Sequence, residues 1–230
     1  MTLARLPFMR LVRSRLVWAF TVGASAIVFA VAWLLQHREV PPSAHAIARA
    51  LDLYASIAVP LLVFALVSAG LDGNGLARSG RALVRLGAPR GRVASTTAFV
   101  TMLASAVVAG IMGAVVIACA HGAGDPRLAT DVMQTMGFGA LAAAAYAAYF
   151  LMGSALIGSF WGRGIFLMLD FIVGSDDGLG AAFTPRGHFR NVLGGEAPFD
   201  MAPSDSLMAL AAIVVVCAGF AVWRTTQTRV

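Results

Sequence analysis

The chain has 230 residues, of which 59% are hydrophobic and 12% are charged, and its mean hydropathy is +0.82. This composition excludes a soluble domain with a polar surface, a disordered chain and a collagen-like chain, and it predicts an integral membrane protein. A net charge of +6 would suggest nucleic-acid binding in a soluble protein. In a membrane protein, basic residues sort by side instead, so we expect no nucleic-acid partner.

Six apolar segments have about the length of helix, roughly 20 residues, that crosses a bilayer. They alternate with polar segments along the chain, so we expect a single transmembrane domain over residues 1–230. The fifth segment is interrupted by Asp170 and by the polar run at residues 174–177. The predicted spans are residues 16–36, 51–71, 94–120, 131–159, 164–183 and 206–223.

The arginines predict which side each loop faces. With six spans and a cytoplasmic N-terminus, twelve arginines fall on the cytoplasmic side and five on the outer side. This bias agrees with the positive-inside rule, so both termini are expected in the cytoplasm. The outer arginines are Arg38, Arg49, Arg127, Arg186 and Arg190.

Residues 1–15 place leucine and methionine side chains among four arginines. This pattern predicts a short amphipathic helix that lies in the cytoplasmic headgroups. The alternative is a basic tail that only sets the orientation of the first span.

The largest predicted cytoplasmic loop is residues 72–92. Apolar and basic side chains recur in it every three to four residues, which predicts one short surface helix over residues 75–86. Gly87 and Pro89 would end that helix. Its apolar residues are Leu76, Leu83, Val84 and Leu86, and its basic residues are Arg78, Arg81 and Arg85.

On the outer side, residues 181–202 form a long segment rich in proline and glycine, which is unusual for a simple connection. Within the third and fourth spans, small residues recur at helical spacing and predict close helix contacts. They are Ala106, Gly110 and Ala114, with Ala109 and Gly113 beside them, and Gly137, Gly139 and residues 142–145.

Asp170 is the main candidate functional residue inside the spans. Burying a charged carboxylate in lipid costs roughly several kcal/mol unless the carboxylate is paired or hydrated. Asp170 is predicted either to line or gate a translocation pathway or to pin the broken fifth span. Ser154 could suggest an intramembrane protease, but His37, His45, His121 and His188 all lie in predicted outer loops or span ends. We therefore expect the Ser154 hydroxyl to bond back to its own helix.

No metal site is predicted, because Cys119 and Cys217 lie in apolar runs without a second cysteine or a histidine at ligand spacing. All 17 basic residues are arginine, and a chain without lysine cannot form the P-loop of a nucleotide-binding site. We therefore expect that the chain is not an enzyme and that any ATP hydrolysis takes place on a separate polypeptide.

The order of these elements resembles the permease subunit of ABC transporters of the type-2 exporter class. That family has a basic N-terminal helix, two spans, a cytoplasmic loop, three spans, an outer segment and a last span. The closest local match is residues 80–93, GRALVRLGAPRGRV, where the family has a coupling helix followed by a "leucine, leucine, small residue, proline, any, arginine" segment. The matching residues are Leu83, Leu86, Ala88, Pro89 and Arg90.

The chain departs from that family at one point and resembles it at another. Family members commonly place a glutamate or two before the coupling helix, where this chain has only Asp72. Residues 184–193 look like the re-entrant hairpin that the family carries before its last span. The short haem exporter B subunit of cytochrome c maturation is similar in length and number of spans, but nothing in this sequence favours haem.

The resemblance implies an all-α polytopic membrane protein with six transmembrane helices, an N-terminal interfacial helix, a coupling helix and an outer re-entrant hairpin. It implies a permease subunit of an ATP-driven exporter in the bacterial inner (plasma) membrane. The expected partners are two copies of an ABC ATPase, a second permease copy or paralogue, and membrane lipid. ATP and Mg²⁺ would bind the ATPase, with no cofactor in this chain. The ATPase-coupling residues would be Leu76, Arg78, Arg81, Leu83, Arg85 and Leu86, and Asp170 would line or gate the pathway. The alternative is a stand-alone structural or assembly protein of the membrane without an ATPase.

Overall fold

The computed structural model describes residues 3–38, 44–121, 127–158, 160–174 and 178–228. These residues form helices joined by turns, with no strand among them, so the all-α prediction is confirmed. A π-helical turn, Tyr54–Ala58, joins the third helix to the fourth, and a 3₁₀ turn, Pro198–Asp200, precedes the last helix. In chain order the helices are α1 Arg5–Arg13, α2 Arg15–Arg38, α3 Ala44–Leu53, α4 Val59–Gly70, α5 Leu76–Ser79, α6 Arg81–Arg85, α7 Arg90–Ala120, α8 Leu128–Ile157, α9 Phe160–Val173, α10 Leu179–Ala182, α11 Pro185–Val192 and α12 Pro203–Gln227.

Four helical stretches in the described part of the chain are long and apolar enough to cross a bilayer. A fifth crossing results if α1 and Val17–Val31 of α2, which are bent by 59° relative to each other, act as one span. The four stretches match the second, third, fourth and sixth predicted spans, and their ends differ from the prediction by at most four residues. They are Ile47–Gly70, Arg90–Ala120, Leu128–Ile157 and Pro203–Gln227.

The fifth predicted span, residues 164–183, is not one helix. Helix α9 has 14 residues and is about 21 Å long at 1.5 Å per residue, which is less than the roughly 30 Å of a bilayer core. It ends before Gly174, where a Cβ atom would come within 2.5 Å of the Asp170 carbonyl oxygen and of the Thr184 hydroxyl. The chain turns there because only glycine fits against the returning segment. Residues 175–177 lie outside the described part of the chain.

Helix α8 lies at the centre of the bundle and packs on α7, α12, α9 and α4. The predicted small-residue contacts hold where α7 meets α8, since a Cβ on Gly110 would lie 3.0 Å from the Met136 carbonyl oxygen. The Tyr54 side chain occupies the space that Gly113 and Gly139 leave open, and its hydroxyl donates to the Ala109 carbonyl at 2.7 Å. The prediction is wrong for Gly137, which is exposed and touches nothing within 4 Å.

Candidate functional site

Basic residues from distant parts of the sequence meet at one end of the bundle, here called the basic end. The Arg10 guanidinium of α1 donates to the Ser79 carbonyl at 3.0 Å and lies 3.9 Å from the Asp72 carboxylate. Arg90, at the start of α7, donates to the Thr228 carbonyl after α12 at 3.0 Å. The N-terminal helix, the loop of residues 72–89 and the end of α12 therefore form one surface.

The predicted surface helix over residues 75–86 is two short helices, α5 and α6, separated by Gly80. A Cβ on Gly80 would lie 2.5 Å from a Val93 methyl group, so the chain bends where it approaches α7. Leu76 is only 2% exposed, because the bend turns its side chain toward the interior of the bundle. It is therefore not available to contact a partner protein. Leu83 is half-buried and Leu86 is 84% exposed. The three arginines among the predicted coupling residues, Arg78, Arg81 and Arg85, are also exposed.

A buried arginine holds this loop from the inside. Arg163, near the start of α9, is fully buried, and its Nη1 donates to the Asn74 carbonyl at 2.6 Å. Its guanidinium also lies 5.6 Å from the centre of the Phe160 ring. Its Nε and Nη2 have no hydrogen-bond partner among the described residues. Arg163 directly precedes the fifth predicted span. Because an arginine at a span end normally extends to the headgroups, its burial could not be expected from the sequence.

Asp170 lies two turns further along α9 and is also fully buried. Its Oδ2 accepts a hydrogen bond from the Tyr146 hydroxyl of α8 at 3.2 Å, and its Oδ1 accepts from the backbone N–H of Arg186 at 3.3 Å. Arg186 is the second residue of α11. Thr184, the residue before this helix, makes no side-chain capping bond. The carboxylate therefore takes the place of the missing helix cap.

Helix α11 is buried against its neighbours at the end of the bundle opposite the basic end. Phe189 is fully buried and packs edge-on against Tyr54, with ring centres 5.6 Å apart. The guanidinium of Arg186 lies 4.5 Å from the centre of the Phe171 ring. The predicted outer segment of residues 184–193 is thus a buried helix that contacts α9, α12 and the π-helical turn.

His188 joins α11 to the start of α12. Its Nδ1 lies 3.2 Å from the Ser206 hydroxyl and its Nε2 lies 2.9 Å from the Ala182 carbonyl. Asn191 donates to the same hydroxyl at 2.8 Å and to the Met201 carbonyl at 2.9 Å. The sequence placed His188 in an outer loop or at a span end, and in the structure it is 1% exposed and contacts the segments on either side of α11.

The described residues considered for proteolysis or metal binding do not come together in a site. The Ser154 hydroxyl donates to the Leu151 carbonyl at 2.8 Å, which confirms the predicted bond to its own helix. Within the described ranges no three histidine, cysteine, aspartate or glutamate side chains come close enough to hold a metal ion. The side chains of His37 and His45 lie outside what the structure describes.

No family model, no curated protein and no solved structure matches the chain. Helix α9 takes part in two contact networks, one at each end of the bundle. One network joins Arg163 to the loop at the basic end, and the other joins Asp170 to α11 at the opposite end.

Proposed function

We propose that the chain is the membrane-embedded permease subunit of an ATP-driven exporter of the ABC type-2 class. It would act as a dimer, with a second copy or a paralogue, and bind two separate ATPase subunits. The observation that supports this most directly is the segment α5–α6, which exposes Leu86 and three arginines yet is anchored from within by Arg163. A segment of this kind can dock on a partner and pass its movement to the bundle.

Six crossings with both termini in the cytoplasm remain our proposed topology. The contact of Arg10 with Ser79 and that of Arg90 with Thr228 support it, since they bring the N-terminal helix, the loop and the end of α12 to the same end. Asp72 is the one acidic residue at this end in the described part of the chain. An end so rich in arginine is expected on the cytoplasmic side.

The proposed mechanism uses α9 as the link between the two ends. ATP binding and hydrolysis, with Mg²⁺, take place on the partner and move α5 and α6. Arg163 would pass this movement to α9, and Asp170 would pass it to α11, so that the first, second and fifth spans change their arrangement. The chain itself performs no covalent chemistry in this proposal.

Docking places Leu86 in an apolar cleft of the ATPase, with Arg85 facing acidic residues at its edge. The test is co-purification of a nucleotide-binding chain with the tagged protein, comparing the unaltered chain with Leu86→Asp. Gln227→Asp is the matched control, because it adds the same charge at an exposed position of the same end. We expect Leu86→Asp alone to lose the ATPase while both variants insert normally.

Retention of the ATPase by Leu86→Asp would remove α6 from the interface. If no nucleotide-binding chain accompanies the unaltered protein from its native membrane, the proposed function is wrong. The chain would then be a structural or assembly protein of the membrane.

A further inference from the structure

Two pockets lie side by side at the basic end, behind α5 and α6. The first, of about 170 Å³, is enclosed by α5, α6, the start of α7 and the end of α12. The second, of about 190 Å³, is enclosed by α5, the end of α8 and the end of α12. Both are lined by Ala77, Arg81 and Thr225. A ligand with two neighbouring anionic groups could therefore place one group in each pocket.

Basic side chains line both pockets. Arg85 lines the first pocket, Arg78 lines the second and Arg81 lines both. None of these three guanidinium groups has a hydrogen bond or ion pair with another described residue. Among the described residues, no acidic side chain lines either pocket. The unused N–H donors match the oxygens of a phosphate, which arginine binds with two parallel hydrogen bonds.

The position of the pockets along the helices points to a lipid. Thr225, in the wall of both pockets, comes two residues after Trp223, whose side chain is exposed at the end of a helix apolar enough to span a bilayer. Exposed tryptophan at a span end is typical of the headgroup region. Pockets of about 170 and 190 Å³ suit a small group such as a phosphate rather than a peptide helix.

We propose that the two pockets bind one anionic phospholipid that carries two phosphate groups, with Arg81 between the phosphates. Basic pockets between transmembrane helices on the cytoplasmic side recognise such headgroups. This inference goes beyond the proposed function, because lipid binding is measured with no ATPase present. A negative result for lipid binding would not contradict the proposed ATPase partner, and the reverse also holds.

The test uses the full-length protein, purified and delipidated in detergent, and three probes: cardiolipin, phosphatidylglycerol with one phosphate, and inorganic pyrophosphate. Native mass spectrometry gives the stoichiometry and the affinity. We expect one cardiolipin per chain, bound about tenfold more tightly than phosphatidylglycerol, and no binding of pyrophosphate at the same concentration. Equal binding of the two lipids would overturn the two-phosphate site, and equal binding of pyrophosphate would overturn a lipid ligand.

Three variants separate the pockets from the general charge. Arg81→Gln should weaken cardiolipin binding at least about fivefold. Arg92→Gln removes the same charge from an exposed residue that lines neither pocket, and should leave binding unchanged. Ala77→Leu fills the shared wall, keeps every arginine and should also weaken binding. Equal effects of Arg81→Gln and Arg92→Gln, or full binding by a folded Ala77→Leu variant, would contradict the proposal.

Discussion

The Asp170 carboxylate accepts a hydrogen bond from the backbone N–H of Arg186, with 3.3 Å between oxygen and nitrogen. A residue of one apolar helix thereby caps the first turn of another helix 16 residues later in the chain. Because the carboxyl group lies at the positive end of α11, a hydrogen-bond acceptor is favourable there. The contact favours a structural role for Asp170 over direct contact with a transported molecule, the two alternatives that the sequence left open.

The first prediction is that Asp170→Ala is more harmful than Asp170→Asn. Asparagine retains an oxygen for the Arg186 N–H, whereas alanine leaves that N–H and the Tyr146 hydroxyl without a partner. A buried donor without a partner costs about 1–3 kcal/mol. The measurement is the apparent melting temperature of the purified variants in detergent, where Asp170→Ala should be lowest. Equal melting temperatures for Asp170→Ala and the unaltered chain would show that the cap does not stabilise the fold.

Tyr146→Phe provides a second, smaller test of the same network. It removes one donor to Asp170 and leaves the backbone bond to Arg186 in place. We expect a loss of about 1 kcal/mol, the usual net contribution of one hydrogen bond. A drop as large as that of Asp170→Ala would mean that the Tyr146 hydroxyl, and not the helix cap, is the main stabilising contact.

Arg163 should matter more for the loop than for the fold. Burying a charge costs free energy unless it is paired and hydrogen-bonded, and two of the three guanidinium nitrogens of Arg163 have no partner among the described residues. We therefore expect Arg163→Met to fold with normal yield while the loop at residues 72–79 exchanges its amide hydrogens faster. Hydrogen exchange measured by mass spectrometry provides the readout, with Arg92→Met as the control. Unchanged exchange in the loop would contradict an anchoring role.

The long helices could be predicted from the sequence because the length of an apolar run decides whether it can cross a bilayer. The features around α9 could not, because each depends on residues that are distant in sequence. Its end at Val173 follows from the approach of Thr184 to Gly174, and the burial of Arg163 follows from Asn74, 89 residues away, accepting its hydrogen bond.

The loop illustrates how periodicity alone misleads. The spacing of Leu76, Leu83 and Leu86 predicted one apolar face, but the bend at Gly80 divides it. Leu76 faces the core and Leu86 faces outward. The close approach of Gly80 to Val93 that causes this bend cannot be read from the spacing of apolar residues.

A matched pair of glycines tests the crossing of α8 and α9. A Cβ on Gly153 would lie 2.7 Å from the Gly162 carbonyl oxygen, so the two backbones touch. Gly164, two residues further along α9, has nothing within 4 Å. We expect Gly153→Val to abolish monodisperse protein in size-exclusion chromatography, because its side chain would separate the helices. Gly164→Val should give normal protein, and similar behaviour of the two variants would contradict this close crossing.

The last prediction concerns topology, and it follows from which segments share an end of the bundle. Arg10 contacts Ser79, so α1 and the loop that carries Arg81 lie at the basic end, and the contact of Arg90 with Thr228 brings Gln227 there too. Glu196, 3.7 Å from Arg190, lies beyond α11 at the opposite end. With Cys119 and Cys217 replaced by alanine, we expect Arg81→Cys and Gln227→Cys to react with a membrane-impermeant maleimide only from the cytoplasmic side. Glu196→Cys should react only from the outside, because the single crossing by α12 separates it from the cytoplasmic Gln227. Labelling of Glu196→Cys and Gln227→Cys from the same side would make the number of crossings after α11 even and would overturn the proposed orientation of α12.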